Sequence, residues 1–185
     1  MGEIHVHEFV TLDGVADAPM WTMDYPFTDG MMEVIGAVTD RSRAILLGRN
    51  TYQMFEPAWS TRTVEEDPGA PFFNETKKYV VSSTLSQDEA TWNNSEVLGV
   101  YDPERIRQLK SEVDGDIYVS GSTTLVRTML ADGLIDQFDL LMYPLTRGEG
   151  ARLFPEGASP ATMTLADSRA FDHGVIYLAY RPKNA

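Results

Sequence analysis

The sequence predicts an α/β domain: a central mixed sheet, mostly parallel, with antiparallel C-terminal strands and flanking helices. Strand patterns alternate with helical patterns as far as about residue 131, and strand patterns alone follow. This order is typical of a sheet that is parallel at first and antiparallel at its end. With 185 residues and no internal repeat or linker, the chain is expected to form one domain, 1–185.

The first elements follow from the spacing of apolar residues. Residues 4–10 alternate between two faces and predict a strand, one face of which carries Ile4, Val6 and Val10. A loop rich in Asp, Pro and Trp follows. Thr28 or Asp29 can then cap a helix whose apolar residues recur at helical spacing, namely Met31, Val34, Ile35 and Val38.

Shorter patterns mark the remaining elements. Strands are predicted over 43–47, 77–82, 96–100, 117–119, 137–143, 163–168 and 174–180, the last two forming a hairpin. Helices are predicted over 51–55, from Pro103 after the cap residue Asp102, and over 123–131 before Gly133. Residues 56–75 carry prolines, acids and a glycine without any period, so they are expected to form a surface loop.

Composition excludes several classes of function. The formal net charge of −13 argues against a nucleic-acid partner, because such proteins neutralise phosphates with Lys and Arg. No apolar run approaches the roughly 20 residues that span a bilayer, so no membrane partner is expected. The N-terminus lacks a secretory pattern and there are no cysteines, so we expect a cytoplasmic protein. His5 and His7 share a strand face but have no evident third ligand, and no metal is expected.

At two places an apolar strand runs into a small, polar turn that opens a helix. Gly48-Arg49-Asn50-Thr51 forms the first turn, and Ser120-Gly121-Ser122-Thr123-Thr124 forms the second. The start of a helix exposes unpaired N–H groups and the positive end of the helix dipole, which favour phosphate. Glycine allows close approach of a ligand, and hydroxyl groups add donors. Two such turns predict a ligand with several phosphates, such as a dinucleotide.

Each turn also has a purely structural interpretation. The first can be an ordinary β–α turn, with Gly48 for its geometry and Thr51 as a cap. The second carries four hydroxyl residues, more than one cap requires, yet it is neither a Gly-x-Gly-x-x-Gly fingerprint nor a P-loop. A third hydroxyl-rich segment, 82–84, also follows a strand. It can be a simple turn, or it can donate to the adenosine-side phosphate or ribose of a dinucleotide.

Together these segments resemble the dihydrofolate reductase-like superfamily, above all the reductase domain of the riboflavin-biosynthesis deaminase/reductase. The matching pieces span nearly the whole chain: Thr11-Leu12-Asp13-Gly14, 47–52, 79–83, 119–125, 134–138, Pro144 and Leu153-Phe154-Pro155. The resemblance implies the three-layer fold of that superfamily and NADPH as the hydride donor. It implies that Arg49 and Ser83 lie near the 2′-phosphate, that Thr51 and the 121–125 turn lie at the pyrophosphate, and that the nicotinamide lies beside the first strand. The cofactor residues expected are Val10, Thr11, Gly48, Arg49, Thr51, Ser82, Ser83, Gly121, Ser122, Thr123, Thr124 and Leu125.

The function expected from these features is an NADPH-dependent reductase that transfers a hydride to a C=N or C=O group of a small, pteridine- or pyrimidine-like heterocycle. Asp13 could orient the substrate or supply a proton through water, or it could serve the turn alone. True dihydrofolate reductases place an acid on the first helix, where this chain has Met32 and then Glu33. The expected substrate residues are Trp21, Glu33, Tyr143 and Phe154, although aromatic residues also serve the core.

Two further questions remain open at the level of sequence. Because the helix acid is missing, a non-catalytic nucleotide- or flavin-binding protein on the same fold is the alternative hypothesis. The closing strands, 163–168 and 174–180, are apolar enough to pair across a two-fold axis. We therefore expect a homodimer that acts on a small-molecule substrate.

Overall fold

A computed structural model of the protein describes residues 2–17 and 19–183. In chain order its strands and helices are β1 (Ile4–Thr11), α1 (Asp29–Arg41), β2 (Ser42–Gly48), α2 (Arg49–Trp59), α3 (Ala70–Glu75), β3 (Lys77–Val81), β4 (Ser95–Gly99), α4 (Pro103–Glu112), β5 (Asp116–Val119), α5 (Thr123–Ala131), β6 (Gln137–Tyr143), β7 (Met163–Ala170) and β8 (Ile176–Pro182). Short 3-10 turns cover Pro19–Asp24 and Asp172–Gly174. No helix in these two stretches of chain is both long enough and apolar enough to cross a membrane.

The strands form one sheet in the order β4-β3-β2-β5-β1-β6-β8-β7. The first six are mutually parallel, and β8 and β7 run antiparallel. The predicted mixed sheet is therefore confirmed. The carboxyl ends of the six parallel strands share one edge of the sheet, and that edge is where ligands collect in open α/β folds.

Helices cover both faces of the sheet and make three layers. On one face, α4 and α5 bury a core that includes Ile106, Leu109, Leu125, Val126 and Met129. On the other face, α1, α2 and α3 bury residues that include Met31, Val34, Val38, Tyr52 and Phe73. Alternate residues of each strand face the two layers, because the side-chain period of a strand is two. β1 lies between β5 and β6 in the sheet. Its side chains alternate between the face that α5 covers and the face that α1 covers.

The prediction of a surface loop over 56–75 is partly wrong. Helix α2 continues to Trp59 with Pro57 inside it, and α3 occupies Ala70–Glu75. The Trp59 and Phe73 rings stack at 4.2 Å between centroids, so these two helices are held by aromatic contact. Tyr52, Phe55 and Trp59 do recur at helical spacing, but the interior proline concealed that pattern.

Candidate active site

The two predicted phosphate turns meet at the carboxyl edge of the sheet. The Gly48 N–H donates a hydrogen bond to the Gly121 carbonyl oxygen at 3.2 Å. A Cβ atom added to Gly48 would clash with the hydroxyl of Ser122, so the turns pack without room for a side chain there. Gly121 has φ of +88°, a conformation that favours glycine. The fold thus brings together two turns that lie far apart in the sequence.

Both helices that begin at these turns leave their first amides available. Gly48 is the N-cap of α2 and Ser122 is the N-cap of α5, and in the described chain neither makes a side-chain capping hydrogen bond. The unpaired N–H groups and the helix dipoles make this edge favourable for anions. The Thr51 side chain lies between the turns, because a Cβ atom on Gly121 would be 2.8 Å from its Oγ1.

A cavity of about 380 Å³ lies beside the first turn. It is lined by Arg49, Val81, Ser82, Ser83, Thr84, Val100 and Tyr101. The exposed Arg49 guanidinium donates a hydrogen bond to Thr84 Oγ1 at 2.5 Å, which links two residues of the cavity lining. Ser82 Oγ accepts hydrogen bonds from the N–H groups of Thr84 and Leu85 at 3.1 and 2.9 Å, so this hydroxyl shapes the turn. Arg49 and Ser83, which the family resemblance placed near the same phosphate, line the same cavity.

The other expected cofactor residues differ in burial. Val10 and Leu125 are buried in the core on the α5 face. Thr123 Oγ1 accepts from the Arg127 guanidinium at 3.0 Å, and Thr124 is exposed. Thr11 is fully buried, and its hydroxyl joins the turn that follows β1. These residues shape the two turns and the end of β1.

Asp13 holds a loop closed. Its carboxylate accepts hydrogen bonds from Thr11 Oγ1 at 2.5 Å and from the N–H groups of Arg147 and Gly148 at 3.1 and 2.8 Å. The Thr11 hydrogen bond, followed by the Gly148 N–H, lowers the pKa of Asp13 to about 2. Asp13 is therefore ionised at neutral pH and carries no proton to give, so the structure favours its turn role over that of an acid.

A cluster of aromatic rings lies on the α1 face, next to the end of β1. The Tyr143 ring lies 5.0 Å from Trp21, 5.3 Å from Tyr25 and 5.9 Å from Phe9, centroid to centroid. Trp21 and Tyr143 are buried. Among the residues the structure describes, Trp21 Nε1 and Tyr143 Oη have no hydrogen-bond partner. Buried polar atoms are nearly always paired, so these two atoms are available to a water or to a ligand.

The structure does not bring Glu33 and Phe154 to this cluster, and their substrate role stays a prediction. Glu33 is an exposed side chain of α1 that accepts from Arg169 on β7 at 2.9 Å. It lines a separate cavity of about 240 Å³ between α1 and the β7–β8 pair. Phe154 packs 5.6 Å from Phe138, on the α5 face of the sheet. Phe154 thus lies on the opposite face of the sheet from Tyr143.

From the sequence, His7 was weighed only as a metal ligand, and Glu8, also on β1, was missed. His7 Nδ1 lies 3.1 Å from Tyr118 Oη, whereas its Nε2 has no partner within residues 2–17 and 19–183. Burial lowers the pKa of His7 to about 4, so the ring is neutral. Glu8 is buried on the opposite face, and burial raises its pKa to about 8. The sequence did contain a sign that Glu8 is unusual, because this acid interrupts the row of apolar residues 4, 6 and 10 on one strand face.

A six-stranded parallel core, a closing antiparallel pair and flanking helices on both faces define the dihydrofolate reductase-like class of fold. A dihydrofolate reductase from Enterococcus faecalis, solved in complex with NADP(H), superposes with a TM-score of 0.62 at 15% identity. That match covers 99% of this chain and 98% of that one. The chain belongs to the RibD C-terminal domain family, whose model matches residues 3–177.

Two further relatives agree with this placement. A protein from Shewanella sp. PV-4, described as a riboflavin biosynthesis protein, superposes with a TM-score of 0.80 at 19% identity, covering 98% of this chain and 99% of that chain. The uncharacterized protein YyaP of Bacillus subtilis (strain 168) is 27% identical over 182 residues, which is 92% of this chain and 90% of that protein. At such identities the structural matches establish the fold.

Proposed function

We propose that this protein is an NADPH-dependent reductase that transfers a hydride to a C=N or C=O carbon of a small heterocycle of the pteridine or pyrimidine kind. The observation that carries the proposal is the meeting of two uncapped helix N-termini at the Gly48–Gly121 hydrogen bond. Membership of the RibD C-terminal domain family supports it. So does the fold shared with a reductase that was solved with NADP(H).

The residues at the sheet edge fit such a cofactor. The first-turn amides of α2 and α5, with the Thr51 hydroxyl, would hold the pyrophosphate. Arg49 lines the neighbouring cavity and would bind the 2′-phosphate through charge-assisted hydrogen bonds, with Ser83 beside it. When bound, NADPH would supply the hydride, while the protein aligns the reacting carbons within about 3–3.5 Å.

The aromatic cluster would hold the substrate. A flat heterocycle can stack on or abut the partly exposed Phe9 ring, which contacts the buried Tyr143 ring. Trp21 Nε1 is a donor, and Tyr143 Oη can donate or accept, so the two atoms match the ring nitrogens and carbonyls of such a substrate. Because Asp13 is ionised, the proton that follows the hydride would come from water. Burial raises the pKa of Tyr143, which keeps its hydroxyl neutral.

NADPH oxidation measured against a panel of pteridines, pyrimidines and quinones tests this proposal. We expect NADPH to bind, as seen by calorimetry, and at least one heterocycle to accelerate its oxidation. Absence of any binding heat with NADPH would end the proposal. The alternative, a nucleotide- or flavin-binding protein without turnover, is favoured by the non-acidic Met32 on α1. It would be supported by NADPH binding with no oxidation across the whole panel, or by a yellow purified protein.

We also propose that two copies associate through the closing strands. β7 is an edge strand whose residues are exposed almost throughout, and Leu165 is 49% exposed on it. An exposed edge strand of eight residues presents unpaired backbone groups that can pair with another strand. Light scattering after gel filtration tests this, with Leu165→Lys expected to shift a dimer toward monomer. The absence of cysteine is compatible with the cytoplasmic location that we propose.

A further inference from the structure

Glu8 is a buried acid at the edge of the candidate cofactor site. It lies on β1 among the apolar side chains that face α5, and only 7% of its surface is exposed. Its Oε1 atom makes no hydrogen bond within the described part of the chain. A charged residue almost never stays fully buried without a partner, so this carboxyl has no structural explanation.

The free carboxyl lies next to the second phosphate turn. A Cβ atom placed on Gly121 would lie 3.4 Å from Glu8 Oε1 and 2.8 Å from Thr51 Oγ1. β1 and β5 pair as far as Val6 and Val119, and Glu8 is the next residue of β1 on that face. Glu8, Thr51 and Gly121 therefore meet just beyond the end of β5, between the two helix N-termini.

The protonation state of Glu8 decides what it does there. Burial raises its pKa to about 8, and a neutral carboxyl group donates through its O–H. An ionised carboxylate at the same place would repel an anionic ligand. Tyr118 on β5 is the titratable group that interacts with Glu8, and burial raises the pKa of this Tyr, so it stays neutral. Lys78 on β3, with a pKa lowered by burial to about 8, titrates over the same range.

We propose that Glu8, in its protonated form, donates a hydrogen bond to a cofactor bound at the Thr51–Gly121 contact, so that cofactor binding requires this proton. The inference rests on the proposed NADPH binding. Glu8 is then a cofactor-binding residue, and an ionised Glu8 must take up a proton when the cofactor binds. No bond is made or broken, because Glu8 keeps its proton while the cofactor is bound.

Calorimetry of NADPH binding tests the proposal directly. Near pH 8, in buffers of different ionisation enthalpy, we expect the wild-type protein to take up about half a proton per bound NADPH, since about half of the free Glu8 is ionised there. From about pH 8 to about pH 9.5 the Kd should rise by up to about tenfold per pH unit. NADH gives the same proton uptake, because the 2′-phosphate is not involved.

Two variants distinguish the effect of the Glu8 carboxyl from the effects of other titratable groups. Glu8→Gln keeps a neutral donor of the same shape, so it should bind NADPH near pH 7 within about threefold of wild type, with no proton uptake and a flat pH profile. Glu8→Met removes the donor and should weaken binding by about three- to tenfold near pH 7, also with a flat pH profile. Circular dichroism and thermal melts report whether both variants fold.

The possible outcomes are distinct. Wild-type binding without proton uptake overturns the role of Glu8 and leaves the proposed reductase standing. The same pH profile in Glu8→Gln assigns the titration to Lys78 or another group and also overturns it. No NADPH binding by the wild type near neutral pH overturns both this inference and the proposed function.

Discussion

The Gly48 N–H donates to the Gly121 carbonyl oxygen, and this hydrogen bond joins the end of β2 to the turn that opens α5. A side chain at Gly48 would collide with Ser122, so the contact exists only because residue 48 has no Cβ atom. The two helix N-termini that could hold an anion are thus set at a fixed distance by backbone contact. Their relative position does not depend on flexible side chains.

Gly48→Ala should therefore separate the two turns. Overpacking of this kind costs about 1–3 kcal/mol, and the displaced α5 N-terminus should weaken NADPH binding by about tenfold or more. Denaturant unfolding and calorimetry measure the two effects. Gly36→Ala is the matched control, because a Cβ atom there meets nothing within 4 Å. Alanine inside α1 should leave binding unchanged and raise stability by about 0.5–1 kcal/mol.

Arg49→Ala should weaken NADPH binding much more than NADH binding. A hydrogen bond to a charged group contributes about 1.5–3 kcal/mol, which corresponds to roughly ten- to a hundredfold in the NADPH Kd. Direct titration with both nucleotides gives the ratio. Arg105→Ala, on α4, is the control, since Arg105 pairs with Glu112 instead. Equal losses for NADPH and NADH would remove Arg49 from the 2′-phosphate.

Tyr143→Phe should weaken substrate binding without lowering the stability of the protein. The hydroxyl has no partner in the described residues, so its loss should leave stability unchanged or raise it by up to about 1 kcal/mol. The KM for a turned-over heterocycle should rise by about three- to tenfold, because a ligand contact is lost. Tyr177→Phe is the contrast, because its hydroxyl donates to buried Asp139 at 2.6 Å. That variant should lose about 1.5–3 kcal/mol of stability. A destabilised Tyr143→Phe with unchanged KM would contradict the assignment.

Asp13→Ala should loosen the loop around Arg147 and Gly148, whose amides should exchange hydrogen faster. The pH dependence of the wild type follows from the lowered pKa of about 2. The contacts are fully present above the unfolded pKa near 4 and are lost as the pH falls through about 2. Activity between about pH 5 and pH 8 should show no titration of Asp13. A kcat that follows an acid of pKa near 6 and disappears in Asp13→Ala would restore it as the proton donor.

Local signals in the sequence predicted most of the fold. Thr28 caps α1 and Asp102 caps α4 as their sequence positions indicated, and the closing hairpin turns at 172–174. Helix α3 could not be predicted, because six residues are too few to show a period. It is held by tertiary contact with Trp59.

The candidate site was predictable on its cofactor side and less so on its substrate side. Glycine and hydroxyl residues at strand ends are local features, and all parallel strands end at one edge. Neighbouring residues of α1 lie about 100° apart around the helix axis. The spacing of its apolar residues did not resolve which way the Glu33 side chain points. The His7–Tyr118 contact depends on the register of β1 against β5, which pairs distant segments. Such pairing is decided by the whole sheet.

The contact between the turns that follow β2 and β5, here called the junction, allows ligand binding to be detected through stability. Its two halves are separate in the chain and meet only in the finished sheet, so an unfolded chain offers no comparable site. A nucleotide that occupies the junction should therefore raise the melting temperature of the entire domain. A hundredfold excess over Kd adds about 2.7 kcal/mol to the free energy of unfolding, so simple thermal-shift screening can rank ligands before any substrate is known.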